Sequence, residues 1–300
     1  MQVSTRLFNS QSIDRFSDLN EAIQDAQAKI ATGKKILNSS DDPIAAAAVS
    51  AARDQQSMLV RFEENIDHAR MRLSVAETSL TQVNDAVTRL YELSVQGRNA
   101  TLKAPDRMAL AAEVKELKAF VLGLANTVDV HGQAVFGGFR SGKPPFVQDG
   151  NGTVTYQGDR GQHTLQVSES YSLKTGLDGG EVFQRVPGSN GPDDLFAIIN
   201  DLEAELTSST PKEGMIERLN RAVEHISIQR AVIGAAINAV DEQSVVLEKR
   251  KMVVTENLSS LQDADLHEMV LELQSLLTSR DAAQQAFAKI GQQSLFDFIR

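Results

Sequence analysis

The chain has 300 residues, 41% of them apolar, and its forty acidic against thirty basic side chains give a formal net charge of −10. That balance argues against a protein whose main task is gripping nucleic acid, which needs a concentrated basic face. The absence of Cys excludes disulfides, thiolate metal sites, iron–sulfur clusters and a thiol nucleophile, without fixing the compartment. The first ten residues lack the basic-then-apolar pattern of a secretory signal peptide. The longest small-apolar run, Ile44 to Val49, is too short to span a bilayer. These features alone place the chain in the cytoplasm, with no membrane insertion.

In chain order, Phe16, Leu19, Ile23, Ala26 and Ile30 form a helical stripe that stops at Gly33, a left-handed C-cap. Asn38-Ser-Ser-Asp-Asp-Pro43 follows, placing a capping side chain before Pro at the first position of a new helix. A metal role for Asp41 and Asp42 is the alternative, with no further ligands nearby in sequence. From Leu59 the apolar residues step by three and four through Phe62, Ile66, Ala69, Leu73, Ala76, Leu80, Val83, Val87 and Leu90 to Ser94. Ten of these eleven are apolar where composition gives about 4.5, a coiled-coil period of about 3.5 residues. A third stretch, Leu110, Val114, Leu117, Val121 and Leu124, follows the start signal Pro105-Asp106.

Residues 131–192 break the pattern. Thirteen of the nineteen Gly and four of the seven Pro lie there. Between them stand the short alternations Thr153–Tyr156, Thr164–Val167 and Glu181–Phe183, read as strands of a small all-β insert. Asp193 to Leu206 is a short helix. A second long stripe runs from Ile216 to Leu261 with eleven of fourteen positions apolar, a helix of about 70 Å. The heptad slips between Leu261 and Leu266, where Asp265 with Glu268 reads as a capping box starting a fresh helix. That helix carries Leu266, Met269, Leu273, Leu276, Ala283, Phe287 and Ile290.

The pattern predicts a mainly α protein, a long antiparallel helical coiled-coil rod formed by both chain ends with a small β-rich domain inserted in mid-chain. Its parts are 1–43 and 262–300 as terminal helices, 44–130 and 193–261 as the helical bundle, and 131–192 as the outer β-rich domain. Two thin amphipathic helices bury little by themselves. The terminal helices are therefore expected to be disordered until they fold against neighbouring copies.

Two motifs look chemical and fail. Gly137 to Lys143 fits seven positions of the phosphate-binding G-x-x-x-x-G-K-[ST] loop, but Pro144 stands where the Mg²⁺-binding hydroxyl belongs and no amphipathic helix follows. His267-Glu268-Met-Val-Leu271 begins like a zinc-binding H-E-x-x-H and ends in Leu. The five His are scattered, and no Ser/His/Asp grouping is inferred from them. No enzyme activity, cofactor or metal is expected.

The stretch Ala31-Thr-Gly-Lys-Lys-Ile-Leu-Asn-Ser-Ser-Asp-Asp-Pro-Ile-Ala45 resembles the signature of the flagellin superfamily between its first two helices. The resemblance covers nearly the whole chain and is strongest over 1–140 and 215–300. Pro43, where flagellins usually carry Ala, is similar to the branch of that superfamily that sits between hook and filament. Val135 to Phe146 and the ending Gln293-Ser-Leu-Phe296 resemble the same branch. The resemblance implies a structural part of the bacterial flagellum on which flagellin assembles, located outside the cell at the hook–filament junction. It further implies export without a cleaved signal peptide through the flagellar type III apparatus, helped by an export chaperone. The implied partners are copies of the same chain in a ring, the other junction protein and flagellin. Phe16, Ile23, Ile30, Leu273, Leu276 and Phe287 are then expected to line the interface between subunits. The alternatives are flagellin itself and a cytoplasmic coiled-coil scaffold.

Overall fold

The computed structural model describes residues 2–99, 101–189, 191–208 and 214–296. The chain divides into two compact units, Met1–Met58 with Arg250–Arg300, and Leu59–Lys249. The long helices α2 (Pro43–Gly97) and α6 (Met215–Gln262) contribute to both. Among the described residues both terminal regions are helical and the strands lie in mid-chain, as the periodicity and the Gly/Pro distribution predict.

In the first unit, α1 (Gln2–Thr32) packs against α7 (Leu266–Phe296). Helix α1 ends at Gly33, whose φ of +68° only glycine adopts at no cost. Asp42 caps α2, its Oδ1 accepting from the N–H groups of Ile44 and Ala45, both at 3.0 Å, ahead of Pro43 at the first helical position. Asp42→Ala should cost about 1 kcal/mol locally. Amide exchange at Ile44 and Ala45 should accelerate accordingly, and unchanged protection there would refute the cap. Asp265 opens α7 in the same way, accepting from His267 N–H at 2.9 Å and Glu268 N–H at 3.4 Å.

In the second unit, the α2 stripe is the core. Leu59, Leu80, Val83, Val87 and Leu90 are fully buried, and Phe62 is the most accessible stripe residue at 6%. Helix α6 buries a series spaced by seven, Leu219, Ile226, Ile233, Val240, Leu247 and Val254, with Met215, Ala222 and His225 added near its start. The alternating positions Val223, Arg230, Ile237 and Ser244 are only half-buried. Polar contacts tie α2 to α6, with Arg70 on Asp241 at 2.9 Å and Ser227 Oγ on Asn84 Oδ1 at 3.1 Å. Helix α3 (Ala104–Ala125) packs on α5 (Leu195–Ser208), and Arg89 reaches from α2 to Glu113 of α3 at 2.7 Å.

The mid-chain insert holds two antiparallel hairpins, β1 (Phe146–Gln148) with β2 (Val154–Tyr156) and β3 (Thr164–Gln166) with β4 (Ser172–Lys174). Glu181–Phe183 is not a strand. It lies in the short helix α4 (Gly179–Phe183), because Asp178 caps it by accepting from Gly180 N–H at 2.9 Å. Its apolar residues Val182 and Phe183 face the core. Phe136, Phe146, Phe183 and Phe196 form one buried aromatic cluster with ring centroids 5.2–6.1 Å apart, several pairs meeting edge to face. Arg72 of α2 fixes the insert to the helices. Its Nε donates to the Thr175 carbonyl at 3.1 Å, one Nη to Asp129 at 2.8 Å, and the other to the Ala134 carbonyl at 2.9 Å.

Candidate assembly surface

The residues expected to line an interface lie on the α1–α7 pair. The two helices run antiparallel. At one end Phe16 meets Phe287 edge to face at 6.0 Å. At the other, the links α1–α2 and α6–α7 pair through their backbones. Lys34 bridges Asp263, Lys35 N–H donates to the Gln262 carbonyl, and Ala264 N–H donates to the Gly33 carbonyl, each bond 2.9 Å. Lys35 Nζ adds a bond to the Ser260 carbonyl at 2.8 Å. Beside this joint, Asp41 Oδ2 accepts from the N–H groups of Asn38 and Leu37, which hold its carboxyl below the usual range. Both acidic residues of the Asp41-Asp42 pair are thus occupied by backbone amides.

Within one chain, Ile23 is already covered, 5% exposed, together with Ala26. Phe16, Ile30, Leu273, Leu276 and Phe287 are half-buried, so the expected stripe turns toward its own chain without being closed off by it. Ile290 and the side chains of the Gln293–Phe296 ending lie outside the described surroundings. The apolar residues that point outward are mostly a different set. Leu7, Ile13, Val270 and Leu271 are exposed, and so is Leu266, which the periodicity puts on the inner stripe. Apolar residues standing off the stripe, on the face periodicity assigns to water, were the available signal for them.

His68, His131 and His163, scattered in sequence, line one cavity of about 260 Å³ with Arg72 and Asp129, and the His68 and His131 rings stand 5.6 Å apart. No three His, Asp or Glu side chains among the described residues are placed to hold a metal ion. His225 Nε2 lies 3.1 Å from both the Glu181 and Val182 carbonyls, so that nitrogen carries the proton and ties α6 to α4. After Lys143 the chain enters β1, so Gly137–Lys143 has no helix N-terminus to present to a phosphate. No helix among the described residues is long and apolar enough to cross a membrane.

Two family profiles match this arrangement. The bacterial flagellin N-terminal helical region covers residues 3–141, and the bacterial flagellin C-terminal helical region covers residues 216–299. The chain belongs to the flagellin superfamily and is a structural component of the bacterial flagellum. It is 26% identical over 320 residues to the flagellar hook-associated protein 3 of Escherichia coli, with all of both chains covered. It is also 26% identical over 292 residues to the flagellin FlaB2 of Treponema pallidum, covering 94% of this chain and 93% of that one. The crystal structure of flagellar hook associated protein-3 from Legionella pneumophila shares the fold, with a TM-score of 0.66 at 17% identity over 71% of this chain and 98% of that one. A cytoplasmic scaffold does not survive this membership.

Proposed function

We propose that the chain forms the layer between hook and filament, as a ring of copies seated on another junction protein and offering its far side to flagellin. The observation that carries this reading is the alignment with the hook-associated protein 3 of Escherichia coli, which runs through the whole of both chains. Pro43 at the start of α2 supports it, through its resemblance to the junction branch where flagellins usually carry Ala.

The assembly element in this reading is the α1–α7 pair. The exposed Leu7, Ile13, Leu266, Val270 and Leu271 gain cover from neighbouring copies, and the half-buried Phe16, Ile30, Leu273, Leu276 and Phe287 complete theirs. Ile23 contributes by holding the pair together. In the free chain the terminal helices are disordered, and burial against neighbours offsets the cost of ordering them. The same disorder suits export unfolded through the flagellar type III apparatus with a chaperone. The work done is mechanical, and no reaction or cofactor is part of it.

The second reading is flagellin itself, favoured by the FlaB2 similarity over nearly the whole chain. Immunogold electron microscopy on intact flagella separates the two. Label confined to the hook–filament boundary is the expected result. Label along the entire filament would make the chain a flagellin, and label only inside the cell would overturn both readings.

A further inference from the structure

The turn at residues 137–145 is absorbed neither by the helical pair nor by the aromatic core. Gly138 has a φ of +66°, and a Cβ there would sit 2.2 Å from Asp159. Asp159 Oδ1 accepts from Phe139 N–H at 2.7 Å and from Gly161 N–H at 2.9 Å. Those two amides hold the Asp159 carboxyl below the usual range. The Phe139 ring rests on Gly161, where a Cβ would come within 2.1 Å of it, and meets the His163 ring edge to face at 5.0 Å. The ring is nevertheless 61% exposed. A large aromatic fixed by this many contacts yet left in water is preorganised for a partner, because little side-chain freedom remains to be lost on docking.

Beside it, Arg140 and Lys143 line a groove of about 590 Å³ with Gly142, Pro144, Pro145 and Gln157, and no carboxylate lines it. Lys143 and Arg140 make no close ion pair among the described residues, although the charge of Arg140 also helps to hold the nearby Asp159 carboxyl down. Residues 137–145 contain no acid, in a chain whose net charge is −10. Copies with that charge repel one another. Association therefore needs a place where cations of one copy meet carboxylates of the next. A ring contact of this kind joins two different surfaces of the same chain, head to tail.

We infer that Phe139, Arg140 and Lys143 form a docking knob for a carboxylate-bearing surface of a second copy of this chain. The inference rests on the ring reading above and specifies one of its contacts. The test places a benzoylphenylalanine crosslinker at position 139 of the full-length chain and irradiates isolated flagella. The expected product contains two copies of the chain. Its yield should fall about tenfold with Arg140→Glu and Lys143→Glu together, the loss of one hot-spot contact. Arg140→Gln with Lys143→Gln should give an intermediate yield. Both pairs lie at exposed positions and should leave the melting temperature unchanged.

Crosslinks to a different flagellar protein, no crosslink from a chain present in the flagella, or a yield indifferent to either charge change would each overturn the knob. A wild-type chain absent from flagella would overturn the junction reading instead, and the knob with it.

Discussion

Deleting residues 1–30 should leave a soluble, still helical protein that no longer supports filament growth when added, purified, to hooks bearing the preceding junction layer. Helix α1 is 31 residues long and so is α7, its packing partner. Removing α1 takes from Leu273, Leu276 and Phe287 the helix that α7 packs on. Because the terminal helices order only against neighbouring copies, the far-ultraviolet circular dichroism of the free truncated chain should lose little helix signal. The second unit keeps its core, since the stripe from Leu59 to Leu90 belongs to that unit and not to the one that α1 builds. Filament growth at the normal rate from the truncated chain would show that the terminal pair is not the assembly element.

Arg72→Met should destabilise the second unit by about 3–5 kcal/mol, read as a lowered urea midpoint. The guanidinium is buried and spends its donors on Asp129 and two carbonyls, those of Ala134 and Thr175. Removing it leaves Asp129, whose side chain is 9% exposed, facing only the N–H groups of His131 and Gln133, and strands both carbonyls. The diagnostic result lies in the pair. Asp129→Asn added to Arg72→Met should recover part of the loss, because it removes the uncompensated charge. Arg72→Lys should rescue poorly, since an ammonium cannot span three acceptors that a planar fork reaches at 2.8–3.1 Å. If Arg72→Met costs less than 1 kcal/mol, the insert is held to α2 by other means.

What could be read in advance is what local chemistry decides. Gly33, Asp42-Pro43 and Asp265 end or start helices through bonds to residues within a few positions, so their roles show in the sequence. The α2 stripe was legible for the same reason, as one period carried through eleven positions. Glu181–Phe183 was misread as a strand because three residues are too few to separate periods of 2 and 3.6, and the deciding group, Asp178, sits just before them. Strands β1 and β4 carried no alternation long enough to notice. Arg72 gave no signal, since Asp129, Ala134 and Thr175 reach it only through the folded insert. The assembly surface was half legible. Periodicity found the inner stripe of α1 and α7 but passed over Leu7, Ile13, Val270 and Leu271, which break it.

The backbone joint between Lys34 and Asp263 also governs the order in which this protein folds. Lys35 and Ser260 are 225 positions apart, so the contact closes a loop of three quarters of the 300-residue chain. Loop entropy grows only logarithmically with such a length, but the search for the contact is slow. Whichever terminal helix orders first has no partner until the other end of the chain has reached it. Helices α2, α3 and α5 can meet through much shorter loops. The first unit is thus the last to form, and a chain caught partway carries a finished second unit with both ends still open.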